Sequence, residues 1–228
     1  MNMEKVEEVS SETDIILSNI NCQNKIIIDV GCGDGELTNI LSKHSKFVYG
    51  IDIPEVIEKL HLQKSESNIE FKQGVGQNLP FENNFADIII FFASFHHVPE
   101  CEMSTTIQEC SRVLKKKGHL CFLEPVAEKN SYYRLIRIID DETEVREHAY
   151  NVIKNVNKTK FNHLIESFCF IRRTFENYQK IVEANVNDEA EKKKILTEAK
   201  KIVDDRETNF LDCLFKSYCR LNILEKIN

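Results

Sequence analysis

A glycine-rich segment near the N-terminus could bind a nucleoside through its backbone. It reads Asp-Val-Gly-Cys-Gly-Asp-Gly over residues 29–35 and follows a β-branched apolar run. Glycines in such a turn let the backbone approach a ligand closely, and a helix that starts there offers free N–H groups. Glu36 stands where a dinucleotide-binding turn would have its third glycine. Because this carboxylate would repel a pyrophosphate, the segment predicts a nucleoside ligand without one. Asp52, which ends the next apolar run, could accept hydrogen bonds from both hydroxyls of a ribose.

Three ionisable side chains further along the chain could act as general bases. His96 and His97 follow the most apolar run, and Glu124 ends the next one. Ligands of open α/β sheets bind at the carboxyl ends of the strands, where a base could take a proton from an attacking group. Since neighbouring residues of a strand point to opposite faces, one histidine is expected to face the ligand, and His96 is preferred. Each candidate has a structural alternative: a histidine could cap the next helix or pack in the core, and Glu124 could pair with Arg134 or Arg137.

The elements that position these residues alternate between strands and helices from residue 25 to residue 125. Alternation of this kind predicts a parallel sheet with right-handed crossovers and helices on both faces. Five short apolar runs are predicted as strands, at residues 25–30, 47–52, 68–72, 87–92 and 119–124.

Both ends of the chain add to this core. Apolar spacing predicts an N-terminal helix over residues 3–20, within a segment 1–24 that precedes the ligand-binding core, residues 25–125. Residues 126–228 are predicted to form cap helices and the last two strands. The helical stretches are residues 131–157 and 176–207, and the strands lie around Cys169 to Ile171 and over residues 210–224. The expectation is one α/β domain, residues 1–228, with a doubly wound, Rossmann-like sheet of seven mostly parallel strands.

Composition excludes several classes of protein. The 228 residues carry a formal charge of −7, which disfavours a general nucleic-acid-coating role. Apolar runs stay far below the roughly 20 residues of a membrane span, and the charged residues 1–11 predict no signal peptide, so a cytoplasmic location is expected. None of the eight cysteines has C-x-x-C spacing or histidines at zinc-ligand spacing. Reduced, mostly buried thiols and no metal site are therefore predicted.

Five motifs in order resemble those of the class I S-adenosylmethionine-dependent methyltransferases, in particular a bacterial, methyltransferase type 11-like group acting on small molecules. The resemblance covers residues from about 25 to 125 and is looser beyond. It implies S-adenosyl-L-methionine as cofactor, S-adenosyl-L-homocysteine as product, and transfer of a methyl group to a small-molecule acceptor by in-line displacement. The matching segments are residues 28–35, residues 50–52, Leu79-Pro80-Phe81 with residues 85–89, residues 95–99, and Arg112-Val113-Leu114-Lys115 with Gly118.

The resemblance also assigns cofactor contacts. Asp29 would hold the methionine amino group, Asp52 the ribose hydroxyls, and Ile53 would pack on adenine. Val75 stands where many relatives have an acidic residue for the adenine amino group, so a backbone group or Gln77 would have to make that bond. The complete implied cofactor set is Asp29, Gly31, Cys32, Gly33, Asp52, Ile53, Val75, Gly76 and Ser94, beside the catalytic candidates His96, His97 and Glu124.

Alternatives to this interpretation stay open. Glu36 counts against an NAD(P)-dependent Rossmann oxidoreductase. A nucleic-acid methyltransferase would be expected to have an Asn/Asp-Pro-Pro-aromatic motif where this chain has Ala93-Ser94-Phe95-His96. A non-catalytic methyltransferase-like binding protein is the third alternative.

The change of pattern after Pro125 suggests a division of labour. Nothing in the first five strands shields a transferable methyl group from water, and covering segments commonly do so. The hypothesis is that residues 26–100 determine cofactor affinity, whereas residues 126–157 and 175–207 determine acceptor selectivity.

Overall fold

The computed structural model describes residues 6–62, 66–127, 131–204 and 215–227. Four predictions fall partly or wholly outside these ranges: residues 3–5 of the N-terminal helix, residues 205–207 of the second cap segment, residues 210–214 of the last strand, and Cys213. The cysteines within the ranges are free thiols, and all but Cys101 are buried. None of the helices in the described part of the chain is long and apolar enough to cross a membrane.

Within these ranges eight strands form one mixed sheet. They are β1 (Glu7–Glu8), β2 (Ile26–Val30), β3 (Phe47–Asp52), β4 (Ile69–Gln73), β5 (Ala86–Phe92), β6 (Leu114–Pro125), β7 (Phe161–Arg173) and β8 (Phe215–Lys226). Their spatial order is β1-β7-β8-β6-β5-β2-β3-β4. Strand β8 runs antiparallel to β6 and β7, whereas the other pairs are parallel. The predicted doubly wound, mostly parallel sheet is confirmed.

Helices cover both faces of this sheet. They are α1 (Glu12–Asn19), α2 (Glu36–Ser42), α3 (Pro54–Leu60), α4 (Glu100–Val113), α5 (Tyr133–Ile136), α6 (Thr143–Lys154), α7 (Phe175–Asn185) and α8 (Glu189–Asp204), with a 3-10 turn at Phe95–His97. Helices α4 and α6 share one buried cluster with Ile89 and Phe91 of β5. Helices α1 and α2 share the other with Ile88 and Ile90. Because both faces are covered, β5 is continuously apolar from Ile88 to Phe92 rather than alternating.

The N-terminal helix begins later than predicted. Residues 7 and 8 pair as a short parallel strand with Cys169 and Phe170 of β7, which adds an eighth strand at the edge of the seven predicted ones. Ser11 then caps α1, its hydroxyl accepting a hydrogen bond from the Asp14 N–H at 3.2 Å. The prediction of a helix over residues 3–20 is therefore wrong for residues 6–11, because the capping serine prevents the helix from extending backward and a distant strand supplies the backbone partners.

The C-terminal cap consists of two separate parts. Helix α6 packs against the sheet, whereas α7 and α8 pack on the short helix α5 around Leu135, Tyr178 and Val182. Each of the two predicted helical stretches is thus a pair of helices. Strand β7 is also longer than the core predicted around Cys169, because β8 pairs with it along its whole length.

Candidate active site

The glycine-rich turn between β2 and α2 requires its glycines. Gly31, Gly33 and Gly35 have φ values of +73°, +55° and +79°, a region that side-chain-bearing residues rarely adopt. A Cβ atom on Gly31 would lie 2.5 Å from the Cβ of Ser94, closer than two carbon atoms can approach. The N–H groups of Gly31 and Cys32 both donate to the carbonyl oxygen of Ile51, at 2.8 and 3.1 Å. The turn is therefore fastened between the ends of β3 and β5.

Asp52 at the end of β3 is oriented by this turn. Its Oδ2 accepts a hydrogen bond from the Gly33 N–H, and its Oδ1 accepts one from the Ile53 N–H, both at 2.8 Å. A carboxylate has about four acceptor positions, so each oxygen retains capacity for another donor. Asp52 also lines a cavity of about 280 Å³ at the carboxyl ends of the strands. The predicted binding of two ribose hydroxyls is compatible with this geometry and stays a prediction.

Apolar side chains flank the same cavity. Ile53 and Val75 leave 47% and 40% of their surface exposed, and both line this cavity together with Gly76 and Gln77. Exposed aliphatic side chains on a cavity wall suit a flat aromatic ring such as adenine. Gln77 adds the polar group that Val75 lacks at the position where an acidic residue was expected.

Asp29 lies on the other side of Gly31 and has an unsatisfied oxygen. Only 1% of the residue is exposed, and its Oδ2 accepts a 2.7 Å hydrogen bond from Thr38 Oγ1. Its Oδ1 is buried without any donor. Burial raises the pKa of Asp29 to about 7. The residue lines a second cavity, of about 410 Å³, which Ser10 to Thr13 help to close. A cationic group in this cavity would satisfy the unpaired oxygen.

These observations fit S-adenosylmethionine as the ligand. Gly31 lines both cavities, so one ligand that passes this residue could place an ammonium group at Asp29 and a ribose at Asp52. Cys32 lines the cavity of Asp29, and Ser94 lines the cavity of Asp52. Gly33 lines neither, and instead holds Asp52 through its N–H. These roles of the nine predicted cofactor residues remain a proposal.

Glu124 holds the turn that carries the two histidines. Its Oε1 accepts hydrogen bonds from the N–H groups of Ser94 and Phe95, at 3.2 and 2.9 Å, and its Oε2 is bonded to Nδ1 of His96. The side chain is buried and engaged at both oxygens. This geometry favours a positioning role for Glu124 over a role as a base, which stays a prediction.

The alternative predicted for Glu124, an ion pair with Arg134 or Arg137, is also wrong. Arg137 pairs with Asp141 one helical turn further on, at 2.7 Å. Arg134 is exposed, and the carboxylate of Glu124 faces the interior instead.

The geometry favours His97 over His96 as the base, and the choice between the two histidines stays a prediction. His96 is buried against Glu124, whereas His97 lines the cavity of Asp52 and leaves 64% of its side chain exposed. The argument from strand alternation fails because the pair lies in a 3-10 turn, where the two rings are tilted by 41° with their centroids 4.1 Å apart. Partial desolvation, with a smaller effect from His96, lowers the pKa of His97. His97 is thus neutral at pH 7 and able to accept a proton.

Glu142 joins this group, although the sequence reasoning assigned it no role. Its Oε1 lies 3.8 Å from His96 Nε2 and 3.8 Å from His97 Nδ1, and its Oε2 forms an ion pair with Arg146. Single atoms of His96, His97 and Glu142 lie within 4.8 Å of one another, a spacing that a metal ion could bridge. The expected lack of a metal therefore stays a prediction. The only signal in the sequence was the acidic run that ends at Glu142.

One of the motifs that resemble those of the methyltransferases has a structural role. Arg112 in α4 donates hydrogen bonds to the carbonyl oxygens of Phe81 and Leu79, at 2.8 and 3.3 Å, and pairs with Glu109 at 2.7 Å. It therefore fastens the loop that follows the adenine side of the cavity. The two motifs that contain Leu79 and Arg112 therefore bind each other in this chain.

Comparisons with known proteins agree with this site. Residues 28–122 match the family described as "Methyltransferase domain". A ubiquinone biosynthesis O-methyltransferase of Pseudomonas fluorescens (strain Pf0-1) is 32% identical over 108 residues, which cover 45% of this chain and 45% of that protein. The protein of that name from Coxiella burnetii (strain RSA 493 / Nine Mile phase I) is 31% identical over 106 residues, covering 45% and 44%. The match spans less than half the length of each relative.

Solved structures are similar over nearly the whole chain. A protein of Bacillus halodurans C-125 has a TM-score of 0.69 at 17% identity, covering 95% of this chain and 99% of that one. An S-adenosylmethionine-dependent methyltransferase from Methanosarcina mazei has a TM-score of 0.60 at 19% identity, covering 93% and 97%. The [4+2]-cyclase SpnF has a TM-score of 0.57 at 16% identity, covering 95% and 80%. At these identities the likeness shows the fold.

Fold, site and comparisons together define the class of the domain. Residues 28–122 match a methyltransferase domain, as the motifs predicted. The Rossmann-like fold with a C-terminal helical part extends from this domain over the rest of the described chain.

Proposed function

We propose that the chain transfers a methyl group from S-adenosylmethionine to a small-molecule acceptor by in-line displacement. The observation that carries this proposal is the buried, unpaired Oδ1 of Asp29, on the opposite side of Gly31 from the ribose-binding carboxylate of Asp52. A cationic group at one end and a pair of hydroxyls at the other are what the two carboxylates can bind. The net charge of −7 and the lack of an Asn/Asp-Pro-Pro-aromatic motif favour a small molecule over a nucleic acid.

An acceptor hydroxyl fits best. The curated relatives in which the matched segment occurs are named O-methyltransferases, and a hydroxyl must lose its proton when it is methylated. His97 is suited to accept that proton because it is neutral at pH 7 and lines the cofactor cavity. A positioned base contributes about 10²–10⁴-fold to the rate.

The remaining contribution to the rate enhancement comes from holding the reacting groups in position. The bound cofactor would supply an activated methyl group on a good leaving group. Glu124 fixes the Ser94–His97 turn through two backbone N–H groups and His96, so the base is held in place before the acceptor enters. Holding reactants in a productive geometry contributes roughly 7–11 kcal/mol.

Calorimetric titration tests the proposal. The protein is expected to bind S-adenosylmethionine and S-adenosylhomocysteine, and to give no comparable heat with NAD, since Glu36 repels a pyrophosphate. Asp52→Ala is expected to weaken cofactor binding by about 1.5–3 kcal/mol, the scale for charged hydrogen bonds. Asp141→Ala is the matched control, because it also removes one carboxylate, from an ion pair with Arg137 away from both cavities. Equal binding of NAD, or unchanged affinity in Asp52→Ala, contradicts the proposal.

A further inference from the structure

A third cavity lies beyond the histidine pair, between β6, α6 and β8. Its volume is about 430 Å³, and its walls include apolar groups from Val126 and Phe168 and the ring of Tyr150. Two arginines, Arg146 and Arg220, also line it. None of its lining residues in the described part of the chain belongs to α7 or α8.

Arg220 is held in place and forms no ion pair among the described residues. Burial lowers its pKa, and longer-range attraction from Glu166 and Glu124 opposes that shift. The residue is 7% exposed, and its guanidinium carbon lies 3.4 Å from the centroid of the Tyr150 ring. Its Nε donates to Asn222 Oδ1 at 3.2 Å. Among the described residues, no carboxylate oxygen lies within 4.0 Å of its nitrogens, and its terminal nitrogens Nη1 and Nη2 have no acceptor. A buried charge without such a partner is costly. Because Arg220 lines the cavity, the unpaired side of its guanidinium lies on the cavity wall.

Arg146 supplies a second unsatisfied donor on the same wall. Its terminal nitrogen pairs with Glu142, its guanidinium lies 4.4 Å over the ring of Tyr133, and its Nε is buried without an acceptor. The neighbouring Glu147 is exposed and also lines the cavity. Arg146 is already paired with Glu142, and Glu124 and Glu166 add negative charge near Arg220, so the wall offers a ligand the hydrogen-bonding capacity of Arg146 Nε and of the terminal nitrogens of Arg220.

The cavity lined by Arg146 and Arg220 is connected to the proposed reaction centre through few residues. Arg146 holds Glu142, and Glu142 lies 3.8 Å from the His97 ring nitrogen that faces it. Arg220 in β8 is the register partner of Glu124 in β6, the residue that positions the histidine turn. Arg146 and Glu142 therefore lie between a ligand in this cavity and the base.

We propose that this cavity selects acceptors that carry a carboxylate. The inference rests on the proposed function, since it names the acceptor class for that site. The terminal nitrogens of Arg220 bind the carboxylate, a geometry in which a guanidinium makes two parallel hydrogen bonds. The apolar part of the acceptor packs against Val126 and Phe168. Because Tyr150 and Asn222 already fix the plane of the guanidinium, little conformational freedom is lost on binding.

A titration with benzoate and benzamide tests the inference without any turnover. The two probes have nearly the same shape and differ in charge, and binding is followed by ligand-observed NMR with and without S-adenosylhomocysteine. The unmodified protein is expected to bind benzoate roughly ten-fold or more tightly than benzamide, the effect of a charged hydrogen-bonded pair. Arg220→Met keeps the apolar stem over Tyr150 and is expected to abolish this preference. Arg137→Met, which removes an exposed arginine paired with Asp141, is expected to keep it.

Each result counts for or against the inference. Equal binding of benzoate and benzamide by the unmodified protein overturns it, whether or not the Arg220→Met variant folds. Preference for benzoate that persists in Arg220→Met overturns the assignment of Arg220. Arg220→Lys, which keeps the charge but not the paired nitrogens, is expected to retain part of the preference. Failure to bind S-adenosylmethionine would refute the proposed function, whereas binding of the cofactor without benzoate selectivity would refute only this inference.

Discussion

Replacing Asp29 by asparagine is expected to change the stability of the protein and its cofactor affinity in opposite directions. The carboxyl group is buried, with Thr38 donating to one oxygen and no donor at the other. Asparagine has the same shape and retains an acceptor for Thr38, but it carries no charge. The variant is therefore expected to be more stable than the unmodified protein at pH 8 and to bind S-adenosylmethionine less tightly.

The size of the stability change follows from the pKa. Burial raises the pKa of Asp29 from 3.8 to about 7. Between these values the folded state retains a proton that the unfolded state has lost, so the contribution of Asp29 to stability falls as the pH rises from about 4 to 7, and is constant above. Three pKa units correspond to about 4 kcal/mol. An unpaired buried amide N–H in the variant costs about 1–3 kcal/mol. A net gain of about 1–3 kcal/mol is expected at pH 8, and a net loss of about 1–3 kcal/mol at pH 4, where only the amide cost remains.

Denaturant unfolding at several pH values measures this difference. The matched control is Asp141→Asn, where hydrogen bonds from Thr143 and Arg137 hold the pKa of an exposed carboxyl at about 2. For that residue the sign is opposite: its contribution is present above pH 4, so its replacement is expected to lower stability at pH 8. The reasoning about Asp29 is refuted if Asp29→Asn is less stable than the unmodified protein at pH 8, or if the difference does not grow between pH 4 and 7.

Three further predictions concern the reaction and the cap. His97→Asn is expected to lower kcat by about 10²–10⁴-fold while leaving the calorimetric cofactor affinity nearly unchanged; an unaffected kcat would exclude it as the base. Treatment with EDTA is expected to change neither cofactor binding nor the methyl-transfer rate, because the Glu142 carboxylate is already paired with Arg146; a loss that added Zn²⁺ restores would show a metal at the histidines. In hydrogen exchange, S-adenosylhomocysteine is expected to protect residues 29–35 and 74–77 but not α6, and equal protection of α6 would place it in the cofactor site.

Strands buried on both faces could be predicted from the sequence, whereas long-range pairs could not. Strands β2, β3 and β5 lie within a residue of their predicted positions, because a short β-branched run has few other ways to be buried. The strand at Glu7 and Glu8 depends on a partner more than 150 residues away and has no local signal.

The candidate site was predictable to the same extent. The glycine turn and Asp52 form a local pattern with a direct chemical meaning. The choice between His96 and His97 depends on a turn that Glu124 holds from another strand. The role of Arg220 depends on Tyr150, which approaches from a different element.

The division of labour predicted for the cap is supported only in part. Residues of α6 line the cavity beside the histidines. Helices α7 and α8 pack on α5 instead, and within the described ranges they line none of the three cavities around the site. Acceptor selectivity is therefore expected to reside in α6 and in the ends of β6, β7 and β8.

A crystal structure of the protein with S-adenosylhomocysteine tests the central claim most directly. The amino group of the ligand is expected within hydrogen-bond distance of Asp29 Oδ1, the ribose hydroxyls at Asp52, and the adenine between Ile53 and Val75. Its sulfur atom is expected on the side of Ser94 and His97. A ligand whose ribose lies away from Asp52, or whose amino group leaves Asp29 Oδ1 unpaired, would contradict the account.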